Sequence, residues 1–153
     1  MGTLHLNMDD FNPQTDSKTC CLELPVREYS IAFIKDEVPV GNFTLMSPDA
    51  IKELTDNNVQ VWMQHGFAAN TGYTDMDYAK VGVEFIDDFV VLAHSTKLLV
   101  KFMPFTIQQL DLMKDAQIIF STQQPVQIDA SYIRLLNQKK ITALAMNFIH
   151  DAH

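Results

Sequence analysis

The chain has 153 residues, 11 Lys+Arg against 19 Asp+Glu, a formal net charge of −8, and 47% hydrophobic residues. That length and composition fit one globular domain with a single core and exclude wholesale disorder. The acidic balance excludes a nucleic-acid or anionic-membrane surface, which needs a basic face, and no run approaches the ~18 apolar residues of a membrane span.

Residues 1–28 read as a polar N-terminal arm, extended or mobile. Asn7, Asp9, Asp10, Asn12, Pro13, Gln14, Thr15, Asp16 and Ser17 are turn formers without periodicity. Met1 to Asp10 lacks the basic-then-apolar pattern of a secretory signal. Leu22, Leu24 and Val26 alternate with polar residues as a short edge strand would. The only cysteines, Cys20 and Cys21, are neighbours and cannot take ordinary disulfide geometry. With no further ligands in view they read as reduced thiols of an intracellular, cytoplasmic protein.

Residues 29–153 form the second unit, in which short apolar runs alternate with helical patterns. Ile31–Ile34 is the first strand. Ser47-Pro48-Asp49 opens a helix: Ser47 caps, Pro48 suits the first helical position, and Asp49 faces the positive end of the dipole. Ile51 and Leu54 give it a buried stripe, and Asn57-Asn58 ends it. Val59, Val61 and Met63 alternate with Gln60, Trp62 and Gln64, a strand period that makes Trp62 a core or interface residue. Thr74 to Asp77 has capping-box spacing and starts a short helix that Gly82 terminates. Val83–Ile86 and Lys97–Lys101 are strands, with a Phe89–Ala93 helix between them. Thr106 to Gln109 repeats the capping-box spacing and leads into Leu110 and Met113. Gln117–Phe120 is a strand, Asp129–Gln138 a helix using Ile133 and Leu136, and Ile141–Met146 a final strand. Apolar strands separated by helices predict an α/β fold, a mostly parallel sheet covered by helices on both faces.

The chemistry readable from spacing is sparse. Walker A, G-x-S-x-G and H-E-x-x-H patterns are missing from the sequence. Its glycines, Gly2, Gly41, Gly66, Gly72 and Gly82, cannot build a dinucleotide pyrophosphate turn. His65 follows a strand end, where open α/β sheets place ligands, although anchoring a loop is the plainer role. His94 reads as a dipole partner at a helix C-terminus. His150, Asp151 and His153 have metal-like spacing at the chain end. Lys101 lies at the carboxyl end of a strand, with a solvated side chain as the plainer expectation.

The order of segments from about Ser30 to Asp151 resembles the N-terminal, substrate-side domain of the alanine dehydrogenase and nicotinamide nucleotide transhydrogenase family. Lys35-Asp36-Glu37, Ser47 to Leu54, the Gly66 loop, Tyr73 to Tyr78 with Gly82, Leu99-Val100-Lys101, Gln117 to Phe120, and Lys140 to Ala143 carry the resemblance. It implies a Rossmann-like or flavodoxin-like domain that holds a 2-oxo or amino acid. A second domain with its own glycine-rich turn binds NAD, so no cofactor is expected in this chain. Alanine dehydrogenases in the family convert alanine, water and NAD to pyruvate, ammonium and NADH, using an arginine, a lysine and a histidine of the first domain.

Carried over residue by residue, the arginine falls on Phe43, five positions before Pro48. The lysine falls on Met103, the second position of a K-x-K-like stretch whose first is Lys101. The histidine falls on Gln124. Phenylalanine lacks the fork that grips a carboxylate, methionine has neither charge nor donor, and glutamine cannot shuttle a proton near neutral pH. The resemblance therefore implies a substrate-side domain that is inactive alone, with Phe43, Lys101, Met103 and Gln124 around its cleft. The alternatives are a non-catalytic ligand-binding or regulatory module, and a subunit completed in trans by an NAD-binding chain. A weakly held 2-oxo or amino acid and a homo-oligomer are the expected partners.

Overall fold

The computed structural model describes residues 29–38, 41–42, 44–69, 71–123 and 128–148. The edge strand at Leu22–Val26, Cys20-Cys21, and the His150/Asp151/His153 trio lie outside the described residues. Six strands, β1 (Ser30–Phe33), β2 (Gln60–Met63), β3 (Glu84–Phe85), β4 (Leu98–Val100), β5 (Ile118–Ser121) and β6 (Thr142–Ala145), form one sheet in the order β3-β2-β1-β4-β5-β6. Every pairing is parallel. That order is the Rossmann one, not the flavodoxin one, and it reverses direction between β1 and β4, where such sheets open a crevice at their carboxyl edge.

Each crossover carries a helix: α1 (Pro48–Asp56), α2 (Asp75–Ala79), α3 (Phe89–Ser95), α4 (Ile107–Leu112) and α5 (Ala130–Gln138). The right-handed crossover rule sends α1 and α2 to one face and α3, α4 and α5 to the other. Side-chain alternation then divides each strand between two cores. Phe33, Val61, Met63 and Val100 pack with Ile51 and Tyr78 of the first pair of helices. Ala32, Trp62, Leu99 and Ile119 pack with Leu92, Leu110, Tyr132 and Leu136 of the other three. All four residues of β2 are buried because both faces are covered. Trp62 is core, and its indole N–H donates to Glu84 Oε2 on the neighbouring strand at 3.2 Å.

The helix starts follow local chemistry. Ser47 Oγ accepts from the Ala50 N–H. The Asp77 carboxylate accepts from both the N–H and the hydroxyl of Thr74. Gly82, at φ 92°, takes a left-handed conformation that lets the Val83 N–H bond back to the Tyr78 carbonyl. Two expectations are corrected. Ile133 is 46% exposed, and Tyr132, one position earlier, is the residue α5 buries beside Leu136. The last strand is not a covered one either: Thr142, Ala143 and Leu144 on edge strand β6 are exposed.

Among the described residues no helix is long and apolar enough to cross a membrane.

Candidate functional site

The carboxyl edge around the β1/β4 reversal is built by backbone register. The Ile34 N–H bonds the Val100 carbonyl, and the Lys101 N–H bonds the Phe120 carbonyl. Parallel pairing therefore runs past the ends of both strands and carries the Lys101 side chain into the interior. It is only 3% exposed, which overturns the expectation of a solvated lysine. Its Nζ donates to Gln109 Oε1 at 3.2 Å and lies 5.9 Å from the centre of the Phe105 ring.

Gln109 is held for this contact by a reciprocal cap. Its backbone N–H donates to Thr106 Oγ1, while its Oε1 accepts the Thr106 N–H. The capping box legible in the sequence thus also presents an amide oxygen to Lys101. Across the crevice, Asp36 follows β1 and accepts the Met103 N–H at 2.9 Å, tying the loop after β1 to the loop after β4.

Burial holds the Lys101 ammonium below its usual pKa, and the nearby Asp36 and Glu37 carboxylates only partly offset that. Burial likewise raises the Asp36 carboxyl, against the Met103 and Phe102 N–H groups and the Lys101 charge, which stabilise its anion. No ion pair to Lys101 is formed among the described residues. The hydroxyl of Tyr132 is buried without a well-formed hydrogen bond among the described residues. Burial raises its pKa, and the Gln123 side chain is close enough to oppose that.

Asp36, Lys101, Met103, Phe105, Ile107 and Tyr132 line a cleft of about 350 Å³. A second hollow of about 470 Å³ shares Asp36 and Glu37 with it and reaches His65 and Asp87. There His65 stacks on Phe85 and bonds the Asp87 carboxylate through Nδ1 at 3.0 Å, and its backbone N–H bonds the same carboxylate. These contacts tie the loop after β2 to the loop after β3, a loop anchor standing at the mouth of a hollow. His94 lies in the last turn of α3, where a dipole partner belongs, and its Nε2 also meets the Leu112 carbonyl at the end of α4.

Lys101 and Met103 are thus brought together in one cleft, while Phe43 and Gln124 lie outside the described residues. The neighbouring Gln123 is buried, and its side chain donates to Ser121 Oγ. Asp36, Gln109 and Tyr132 escaped the reading of the sequence as site residues. Asp36 had a signal, its place directly after β1; Tyr132 was hidden by a one-residue error in helix phase.

Among the described residues no group of three His, Cys, Asp or Glu is placed to hold a metal ion. Nor do they fit a dinucleotide. The turn after β1 is a long segment carrying Asp36 and Glu37 instead of a short glycine turn leading to a helix N-terminus, and those carboxylates repel a pyrophosphate.

The family model described as alanine dehydrogenase/PNT, N-terminal domain, matches residues 42–153. No curated protein matches the chain. The transhydrogenase from Sinorhizobium meliloti is structurally similar, with TM-score 0.68 and 18% identity over 80% of this chain and 36% of that one. An L-alanine dehydrogenase gives 0.66 and 20% over 76% and 32%. The D-mandelate dehydrogenase of Rhodotorula graminis gives 0.51 and 12% over 83% and 38%. The chain spans about a third of the length of these proteins.

Proposed function

The chain belongs to the alanine dehydrogenase/PNT N-terminal domain family, and from that premise we propose that it is a substrate-side domain whose cleft has given up dehydrogenase chemistry. Its units are the polar arm 1–28 and the domain 29–153. The observation that carries the reading is Met103 in the cleft wall, beside a lysine turned inward to Gln109. With Phe43 and Gln124 at the sequence positions that match the family's arginine and histidine, neither a carboxylate fork nor a proton shuttle is supplied from those positions. An anion left without its fork in a partly dry cleft costs several kcal/mol.

NAD belongs to the family's other domain, so hydride transfer requires residues outside this one. The reading supports a cytoplasmic ligand-binding module, with a 2-oxo or amino acid held weakly and a homo-oligomer or a separate NAD-binding chain as partner. The purified 153-residue chain, mixed with alanine and NAD or with pyruvate, ammonium and NADH, is expected to show no change in NADH absorbance above buffer. Measurable turnover overturns the proposal.

A further inference from the structure

We propose that Lys101 is a nucleophilic amine that condenses with a small carbonyl compound entering the cleft beside Asp36 and Tyr132, giving a lysine-linked imine. The inference rests on reading this cleft as a ligand site, and it adds a chemical activity to that reading. Three independent features of the cleft meet on it. Lys101 is almost fully buried, yet its one side-chain hydrogen bond among the described residues is to a neutral amide oxygen at 3.2 Å. A buried ammonium without a carboxylate partner is poorly stabilised, which favours the free amine that attacks carbonyls. Burial also lowers the pKa of this amine from its ordinary value. Next, Tyr132 lines the same cleft, and its buried hydroxyl has no well-formed partner among the described residues, so a small side-chain shift brings it to a carbonyl oxygen as a donor. Finally, the Asp36 carboxyl lines the cleft with Lys101, placed to relay protons between the amine and a bound carbonyl oxygen. Beside Glu37 and Thr106, the side chains of Phe105, Met103 and Ile107 give the wall an apolar stretch, which suits a short aliphatic substituent.

The step balances without a redox partner. The Nζ lone pair forms a bond to the carbonyl carbon as the C–O π bond breaks, and the oxygen takes one of the two amine protons. The carbinolamine then loses that oxygen as water, its second proton coming from nitrogen by way of the Asp36 carboxyl, and a C=N bond remains.

The test is reductive trapping of the full chain with sodium cyanoborohydride and either pyruvate or butanal, read by intact mass and peptide mapping. The expected product is a single adduct, one probe less its carbonyl oxygen, on the peptide carrying Lys101. Pyruvate labelling faster than butanal identifies a carboxylate-bearing ligand; the reverse identifies an uncharged one, and either supports the imine. Lys101→Arg removes the adduct, Lys97→Arg at an exposed position leaves it, and Tyr132→Phe slows it several-fold with the fold intact by circular dichroism. Labelling spread over exposed lysines with Lys101 unmodified overturns the proposal. The wild-type map decides this even if Lys101→Arg fails to fold. Failure of trapping leaves the absence of dehydrogenase turnover untouched, since that is a separate assay.

Discussion

Gln117 and Lys101 are equally buried, each 3% exposed, and stand at opposite ends of the same sheet. At the amino edge Gln117 is almost saturated. Its Nε2 donates to the Ala93 carbonyl and, at 2.6 Å, to the Thr96 carbonyl, while its Oε1 accepts the Lys114 N–H at 2.7 Å. At the carboxyl edge Lys101 has three donors and gives one of them to a neutral oxygen. Buried polar groups in a folded core are normally satisfied. The amino edge obeys that rule and holds helices and loops together. The carboxyl edge, with Lys101 and the Tyr132 hydroxyl, keeps hydrogen-bonding capacity in reserve where open parallel sheets bind ligands.

The largest expected effect breaks the saturated end. Gln117→Leu strands two carbonyls and an N–H, each costing about 1–3 kcal/mol when buried unpaired, and lowers unfolding free energy in urea by about 3–5 kcal/mol. A loss below about 1 kcal/mol erases the contrast between the two edges. Lys101→Met, at the other end, replaces a buried amine that forms no ion pair among the described residues by an apolar chain of similar length. Gln109 Oε1 keeps the Thr106 N–H, so no group is newly orphaned. Stability is expected to stay within about 1 kcal/mol of wild type or to rise, as it does when buried charges give way to hydrophobes. A large loss means Lys101 has a strong partner.

The same variant sharpens the comparison through pH. Lys101 titrates lower in the folded chain than in the unfolded one, where its value is 10.5. Between the two, the unfolded state holds the extra proton, so this group makes stability rise with pH until 10.5 is passed. Tyr132, raised above 10.0 by burial, acts in the opposite direction as pH rises through that range, but it does so in both proteins. The remaining titratable groups are common to both proteins, so wild type minus Lys101→Met isolates the lysine. The difference is expected to grow with pH in favour of wild type; a flat difference contradicts the unpaired assignment. Smallest of all, Tyr132→Phe removes a hydroxyl without a well-formed bond and is expected to change the urea midpoint by less than about 0.5 kcal/mol, where a satisfied buried hydroxyl costs about 1 kcal/mol.

Much of the fold was legible because its signals are local. Ser47-Pro48, Thr74 to Asp77 and Thr106 to Gln109 announce helix starts through contacts three residues apart, and unbroken apolar runs such as Ile31–Ile34 announce strands covered on both sides. Helix phase was less legible: Tyr132 and Ile133 are both apolar enough to face the core, and only the packing of α5 against the sheet chooses between them. The site was legible only as positions. Lys101 and Met103 line one cleft, but the surroundings of Lys101 are supplied by Asp36, Gln109 and Tyr132. Those residues come from three separate crossovers and share no sequence pattern. His65 was legible as a residue after a strand, while its Asp87 partner comes from the next crossover.

The most direct test of the difference between the two edges is the titration of the Lys101 side-chain nitrogen by NMR, assigned by the loss of its signal in Lys101→Met. A midpoint below the ordinary lysine value of 10.5 is the predicted result. A Lys101 midpoint at or above that value means a charged partner satisfies the ammonium, and the reserve at the carboxyl edge does not exist.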